Sequence, residues 1–152
     1  MFMTYTANVT ESIRAPVAQV WDALVNPEQI KKYMFGTTVA SDWNAGSPIS
    51  WSGEWKGKPY QDRGFILRIE PRRTLEFSHF SPLTGEQDLP ENYHRVTIDL
   101  EREAEGTRIS LAQDKNATEQ ARADSEKNWR SMLESLKRLL EVPQESATPP
   151  SP

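Results

Sequence analysis

The sequence predicts an α+β fold in which a curved antiparallel sheet of about seven strands wraps around a long C-terminal helix, with two short helices after strand 1. Three patterns point to it. Residues 5–14 alternate in polarity, as a half-buried strand does, and short alternating runs return between residues 37 and 114. Helical spacing interrupts the strands between Pro16 and Tyr33. From residue 118 to 141 there is no Gly or Pro, and Trp129, Met132, Leu133, Leu136, Leu139 and Leu140 repeat at helical spacing.

Each element follows from its own residues. Tyr5, Ala7, Val9, Glu11 and Ile13 share one face of the first strand. Pro16 suits a first helical turn, Val17, Val20, Trp21 and Leu24 form a stripe, and Asn26-Pro27 stops the helix. A second helix is expected over residues 28–33, followed by a strand over 37–41. Ile49, Trp51, Gly53 and Trp55 share a parity, and Lys56-Gly57-Lys58-Pro59 makes a hairpin turn. Phe65, Leu67 and Ile69 are expected on the inward face of the next strand, and Leu75, Phe77 and His79 on that of the one after. A loop over residues 81–92 carries Pro82, Gly85 and Pro90. His94, Val96, Ile98 and Leu100 alternate next, then Ile109 and Leu111 after a Glu105-Gly106 turn. Such a meander has one buried and one wet face.

The last helix is offered an N-cap by Asn116 with Glu119, or by Thr118. Spanning residues 118–141, it would be about 36 Å long, enough to lie across a sheet. Its first half carries Ala121, Ala123 and Ser125, and its apolar stripe starts only at Trp129. The far half should therefore pack tightly while the near half leaves space against the sheet. Trp21, Tyr33, Met34, Phe35, Trp51, Trp55, Phe65, Phe77, Phe80 and Trp129 then crowd the enclosed side or its rim, either as core or as the lining of a small-molecule cavity.

Composition removes several functions. The 152 residues carry 18 Lys and Arg against 22 Asp and Glu, a net charge of −4, which argues against nucleic acid as the main partner. Cysteine is absent, so disulfides, thiolate nucleophiles and Cys-ligated metals are excluded. No run approaches the roughly 20 apolar residues of a membrane span, and no secretory signal is visible, so the cytoplasm is the expected compartment. One domain is expected over residues 1–142. Residues 143–152, with four of the eleven prolines, read as a disordered Pro/Ser-rich tail.

A set of short motifs carries a family resemblance. They are Ala15-Pro16-Val17, Val20-Trp21-Asp22-Ala23-Leu24, Asn26-Pro27-Glu28, Tyr33-Met34-Phe35-Gly36, Asp42-Trp43 and Gly46-Ser47-Pro48-Ile49. Trp51, Gly53-Glu54-Trp55, residues 77–82, Gly106-Thr107-Arg108 and residues 125–129 continue them in order. The chain resembles the helix-grip, START-like (SRPBCC) superfamily, which includes the birch-pollen allergen family and polyketide cyclases. Within it, the chain is most similar to the homologues of the activator of the heat-shock chaperone ATPase. The resemblance implies a cavity between sheet and helix for an apolar or amphipathic molecule, lipid-like, isoprenoid or polyketide-like. It also implies, as alternatives, a co-chaperone module of the stress response docking on a heat-shock chaperone, or a cyclase- or hydrolase-type enzyme using the cavity. The eukaryotic activators carry a further N-terminal domain, for which this chain leaves no room. A monomer or weak homodimer without cofactor is expected.

The ligand-binding candidates are Tyr33, Phe35, Trp51, Phe65, Phe77, His79, His94, Trp129 and Met132. His79 and His94, the only histidines, fall on the inward parity and read either as a polar pair at the cavity mouth or as structural side chains. They are too few for a His-based metal site. Glu11 and Gln113 could meet if the first and last strands are neighbours. Glu54, Asp62 and Arg63 around a hairpin read as a solvated ion pair. Lys31-Lys32 and Arg72-Arg73 read as solvated surface. No nucleophile triad, glycine-rich phosphate loop or paired-carboxylate motif is present.

Overall fold

The computed structural model describes residues 4–141; residues 142–152, and with them the expected tail and the end of the domain, lie outside the described residues, as does the side chain of Trp55. The elements are β1 (Tyr5–Ile13), α1 (Val17–Val25), α2 (Pro27–Tyr33), β2 (Thr38–Ser41), β3 (Pro48–Trp55), β4 (Lys58–Glu70), β5 (Thr74–His79), β6 (His94–Glu103), β7 (Gly106–Asn116) and α3 (Glu119–Leu140). The seven strands form one antiparallel sheet in the order β1-β7-β6-β5-β4-β3-β2. This is the curved sheet and long terminal helix of the helix-grip fold.

Local chemistry sets the boundaries. The Asn26 side chain accepts from the Glu28 amide at 3.0 Å, so the residue that ends α1 caps α2. Thr118, rather than Asn116, caps α3 by accepting from the Ala121 amide at 3.0 Å. Asn116 instead ties the end of β7 to the Tyr5 carbonyl. Lys56 and Gly57, with φ of 52° and 81°, close a two-residue hairpin that pairs Trp55 with Lys58.

The core lies between the sheet's concave face and the three helices. From α3 it takes Met132, Leu133, Leu136 and Leu140; from α1, Val17, Val20, Ala23 and Leu24; from the strands, Val9, Ile13, Ile66, Phe77, Val96, Ile98, Ile109 and Leu111 among others. The inward face of β1 is as expected. That of β4 is not. Phe65 is 49% exposed and Leu67 41% exposed, whereas Ile66 is 1% exposed. The reason is a register irregularity between Ile66 and Arg68. Ile69 faces in after it; before it the inward set is Tyr60, Asp62, Gly64 and Ile66. A bulge shifts the side-chain alternation by one residue, so a single parity cannot hold across it.

Gly53 and Gly64 lie within β3 and β4, where a close approach leaves no room for a side chain. A Cβ on Gly64 would sit 1.7 Å from the Ser78 carbonyl oxygen. At Gly53 it would sit 2.9 Å from the Tyr60 hydroxyl, because the Tyr60 ring lies across that glycine from the opposite strand.

Candidate functional site

The hollow between sheet and helices is not filled. An inner cavity of about 100 Å³ is walled by Leu24, Ile30, Tyr33, Ile49, Trp51, Leu75, Phe77 and Ile98, with Trp129 and Met132 from α3. It adjoins an outer cleft of about 420 Å³ across Met34, Thr37, Tyr60, Asp62, His79, Trp129 and Met132. Phe35, Glu54, Leu83 and Asn128 complete the cleft. The inner space suits one ring or a short branch, and the outer cleft alone falls within the roughly 300–1,000 Å³ of small-molecule sites.

The polar floor arises from strand pairing. Trp51 on β3 faces Asp62 on β4 in direct register, and Asp62 meets His79 across the next strand. His79 Nε2 lies 2.9 Å from Asp62 Oδ2. A carboxylate only accepts, so the proton of this bond sits on Nε2. The imidazole also meets the Trp51 ring edge-on at 5.0 Å, and Trp51 meets Phe77 at 5.2 Å. These contacts fix the ring's plane. The other oxygen, Asp62 Oδ1, is buried with no hydrogen-bond partner, a costly arrangement for a carboxylate.

Four more polar groups border the cavity. Thr37 Oγ1 donates to the Met34 carbonyl at 2.7 Å, so it accepts from the Tyr60 hydroxyl at 2.8 Å. Trp129 Nε1 donates to Gln113 Oε1 at 2.6 Å. Tyr33 donates to the Ala23 carbonyl at 2.9 Å, one of the acceptors that α1 leaves unpaired at its C-terminus. Burial pushes the Tyr33 phenol well above its ordinary pKa, so it stays neutral.

Tyr33, Trp51, Phe77, His79, Trp129 and Met132 line the inner cavity. Phe35 lines only the cleft, with 71% of its surface exposed and a φ of 57° that precedes Gly36 at 88°. Phe65 is on the outer face of the sheet. His94 pairs with His79 in register, yet its Nδ1 bonds the Asp114 carbonyl at 2.8 Å and it borders a separate depression with Asn116 and Ala117. Glu11 and Gln113 do not meet, because β1 pairs Glu11 with Ile109 and Ala7 with Gln113. Arg63 pairs with Asp88 at 3.3 Å, on the loop before β6, rather than with Glu54 or Asp62.

The sequence-derived candidates omit Thr37, Tyr60 and Asp62, all of which line the cavity. A two-residue turn at Lys56-Gly57 sets Trp55 against Lys58, and counting back from it sets Trp51 against Asp62. An inward Trp51 thus implies an inward Asp62. The described residues hold no cluster of metal-ligating side chains, and no helix is long and apolar enough to cross a membrane.

Comparison with known proteins gives the same fold. A 57% identical protein from Cytophaga hutchinsonii, ChR145, superposes with a TM-score of 0.82, over 93% of this chain and 97% of that one. CalU16 from Micromonospora echinospora is 22% identical, with a TM-score of 0.72 over 95% and 81% of the two chains. The Aha1 dimer from Colwellia psychrerythraea is 20% identical, with a TM-score of 0.71 over 91% and 97%. No functionally curated protein matches. The family model described as "Activator of Hsp90 ATPase homolog 1-like protein" matches residues 14–141, and the chain belongs to that family.

Proposed function

We propose that this protein binds an apolar or amphipathic small molecule, lipid-like, isoprenoid or polyketide-like, with its apolar end in the inner cavity and its remainder in the outer cleft. The supporting observation is the joined cavity and cleft beneath the middle of α3, walled by Trp51, Phe77, Trp129 and Met132 around one polar dyad. Apolar walls with few convergent polar groups are the usual make-up of a binding site. An enzyme reading has less support. Among the described residues Glu11 accepts from Ser12 on β1 and His94 is bonded to Asp114, so neither joins His79 at one point. A screen of amphipathic compounds by native mass spectrometry tests the reading. A stoichiometric complex lost in Trp51→Ala and Met132→Ala supports it, and the absence of any binder refutes it.

The family's description favours a second reading, a module that docks on a heat-shock chaperone. Phe65 and Leu67, exposed on the outer face of β4, would suit such a contact. Addition of the protein should then change chaperone ATPase turnover, and a Phe65→Ser, Leu67→Ser double variant should not. Unchanged turnover with the native chain removes this reading. A monomer or weak homodimer is expected in either case, which sedimentation over a range of concentrations measures.

A further inference from the structure

The side chains that line the cavity and cleft are unevenly equipped for hydrogen bonding. Among the lining residues Asp62 and Glu54 are acidic, and none is a lysine or arginine. The inner donors are already engaged. The Thr37 hydroxyl proton goes to Met34, the Tyr60 proton to Thr37, the Trp129 N–H to Gln113 and the His79 Nε2 proton to Asp62. What remains is acceptor capacity: Asp62 Oδ1 without a partner and the lone pairs of the Tyr60 oxygen. The amide of Asn128, a side-chain donor, stands on the cleft rather than in the inner cavity.

We infer that the cavity selects molecules whose inserted end is a hydrogen-bond donor, an alcohol, phenol or amine, and rejects carboxylates built on the same apolar body. This rests on the binding reading above and adds the class of ligand. A donor at the polar floor satisfies Asp62 after a small turn of its carboxylate about χ2, a soft torsion, and Tyr60 lines the same cavity. A carboxylate there would find the Thr37, Tyr60 and Trp129 donors already engaged and would stand beside a second carboxylate in an apolar surround, where like charges are costly. Specificity of this kind comes from the penalty on the wrong ligand as much as from the bond to the right one.

Three probes of one shape test it: 2-naphthalenemethanol, 2-naphthylmethylamine and 2-naphthoate, each titrated calorimetrically into the full chain at neutral pH. The alcohol and the amine should bind at least about tenfold more tightly than the naphthoate. Asp62→Asn, whose amide both donates and accepts, should shrink that ratio to within about threefold, weakening the amine most. Tyr60→Phe, which keeps the ring, should weaken the alcohol while leaving the naphthoate unchanged, and serves if Asp62→Asn does not fold by circular dichroism. Naphthoate binding as tightly as the alcohol overturns the inference while leaving a binding cavity in place. A ratio unmoved by both variants overturns it equally. If none of the three probes binds, the cavity reading fails, and the ligand class falls with it.

Discussion

The two halves of α3 meet the sheet through different chemistry. Beyond Trp129, Leu133 and Leu136 are fully buried among Ile13, Leu111 and Ile109, and Leu140 is buried as well. Before Trp129 the contacts are polar. Glu126 accepts from the Asn8 amide at 3.0 Å and pairs with Arg122 at 2.7 Å, one turn back along the helix. Trp129 and Met132 stand at the boundary, with one side against packed core and the other on the cavity. A helix held at one end by apolar contact together with the Lys137 bond to the Ser12 carbonyl, and at the other by hydrogen bonds, can leave a hollow at its middle without losing its seat on the sheet. Close packing throughout would leave no such space.

This contrast predicts a gradient of mutational costs. Leu133→Ala, at the packed end, should cost about 3–5 kcal/mol in chemical denaturation, because truncation opens a cavity where none exists. Met132→Ala, one residue earlier, should cost about 2 kcal/mol, since its side chain already borders open space, and it should weaken ligand binding where Leu133→Ala does not. Equal costs would mean that Met132 is packed as solidly as Leu133. Trp129→Phe should cost about 1 kcal/mol through loss of the N–H bond to Gln113.

Smaller effects mark the polar end. The hydrogen bond from the Asn8 amide, and then the Arg122 guanidinium, hold the Glu126 carboxyl below its ordinary pKa in the folded chain. Its contribution is therefore present above the ordinary carboxylate range and is lost as pH falls through the depressed folded value. Glu126→Gln should cost less than about 1 kcal/mol at neutral pH, and the difference should vanish in acid, when both states of the native chain are protonated there. Phe65→Thr, on the outer face, should change stability by no more than about 0.5 kcal/mol. A loss of several kcal/mol would put Phe65 in the core and undo the register assigned to β4.

Periodicity made most of this fold legible. Alternation in β1, helical spacing from Val17 to Leu24 and the stripe from Trp129 to Leu140 each name their own buried face, because long regular elements repeat their signal. The near-far asymmetry of α3 was legible for the same reason. The parity of β4 was not, since Phe65, Leu67 and Ile69 look like one apolar face. Only Ile69 lies inward, and the irregularity between Ile66 and Arg68 divides the strand. That slip placed Phe65 inside and left Asp62 outside, and with Asp62 went the partner of His79. Turn chemistry at Lys56-Gly57 carried the missing information, because a two-residue hairpin fixes register all along the pair. His94 was placed on the correct face but at a different depression, which its register partnership with His79 alone could not reveal.

The account turns on open space under the middle of α3 that accepts a molecule from solvent. The most direct test is a titration of isotope-labelled protein with 2-naphthalenemethanol, followed by two-dimensional amide and indole NMR. Saturable shifts should gather at Thr37, Trp51, Tyr60, Asp62, His79 and the Trp129 indole N–H, while Leu136, Leu140 and Phe65 stay in place. Shifts centred on Phe65 and Leu67, or a spectrum that does not change at saturating probe, would contradict it.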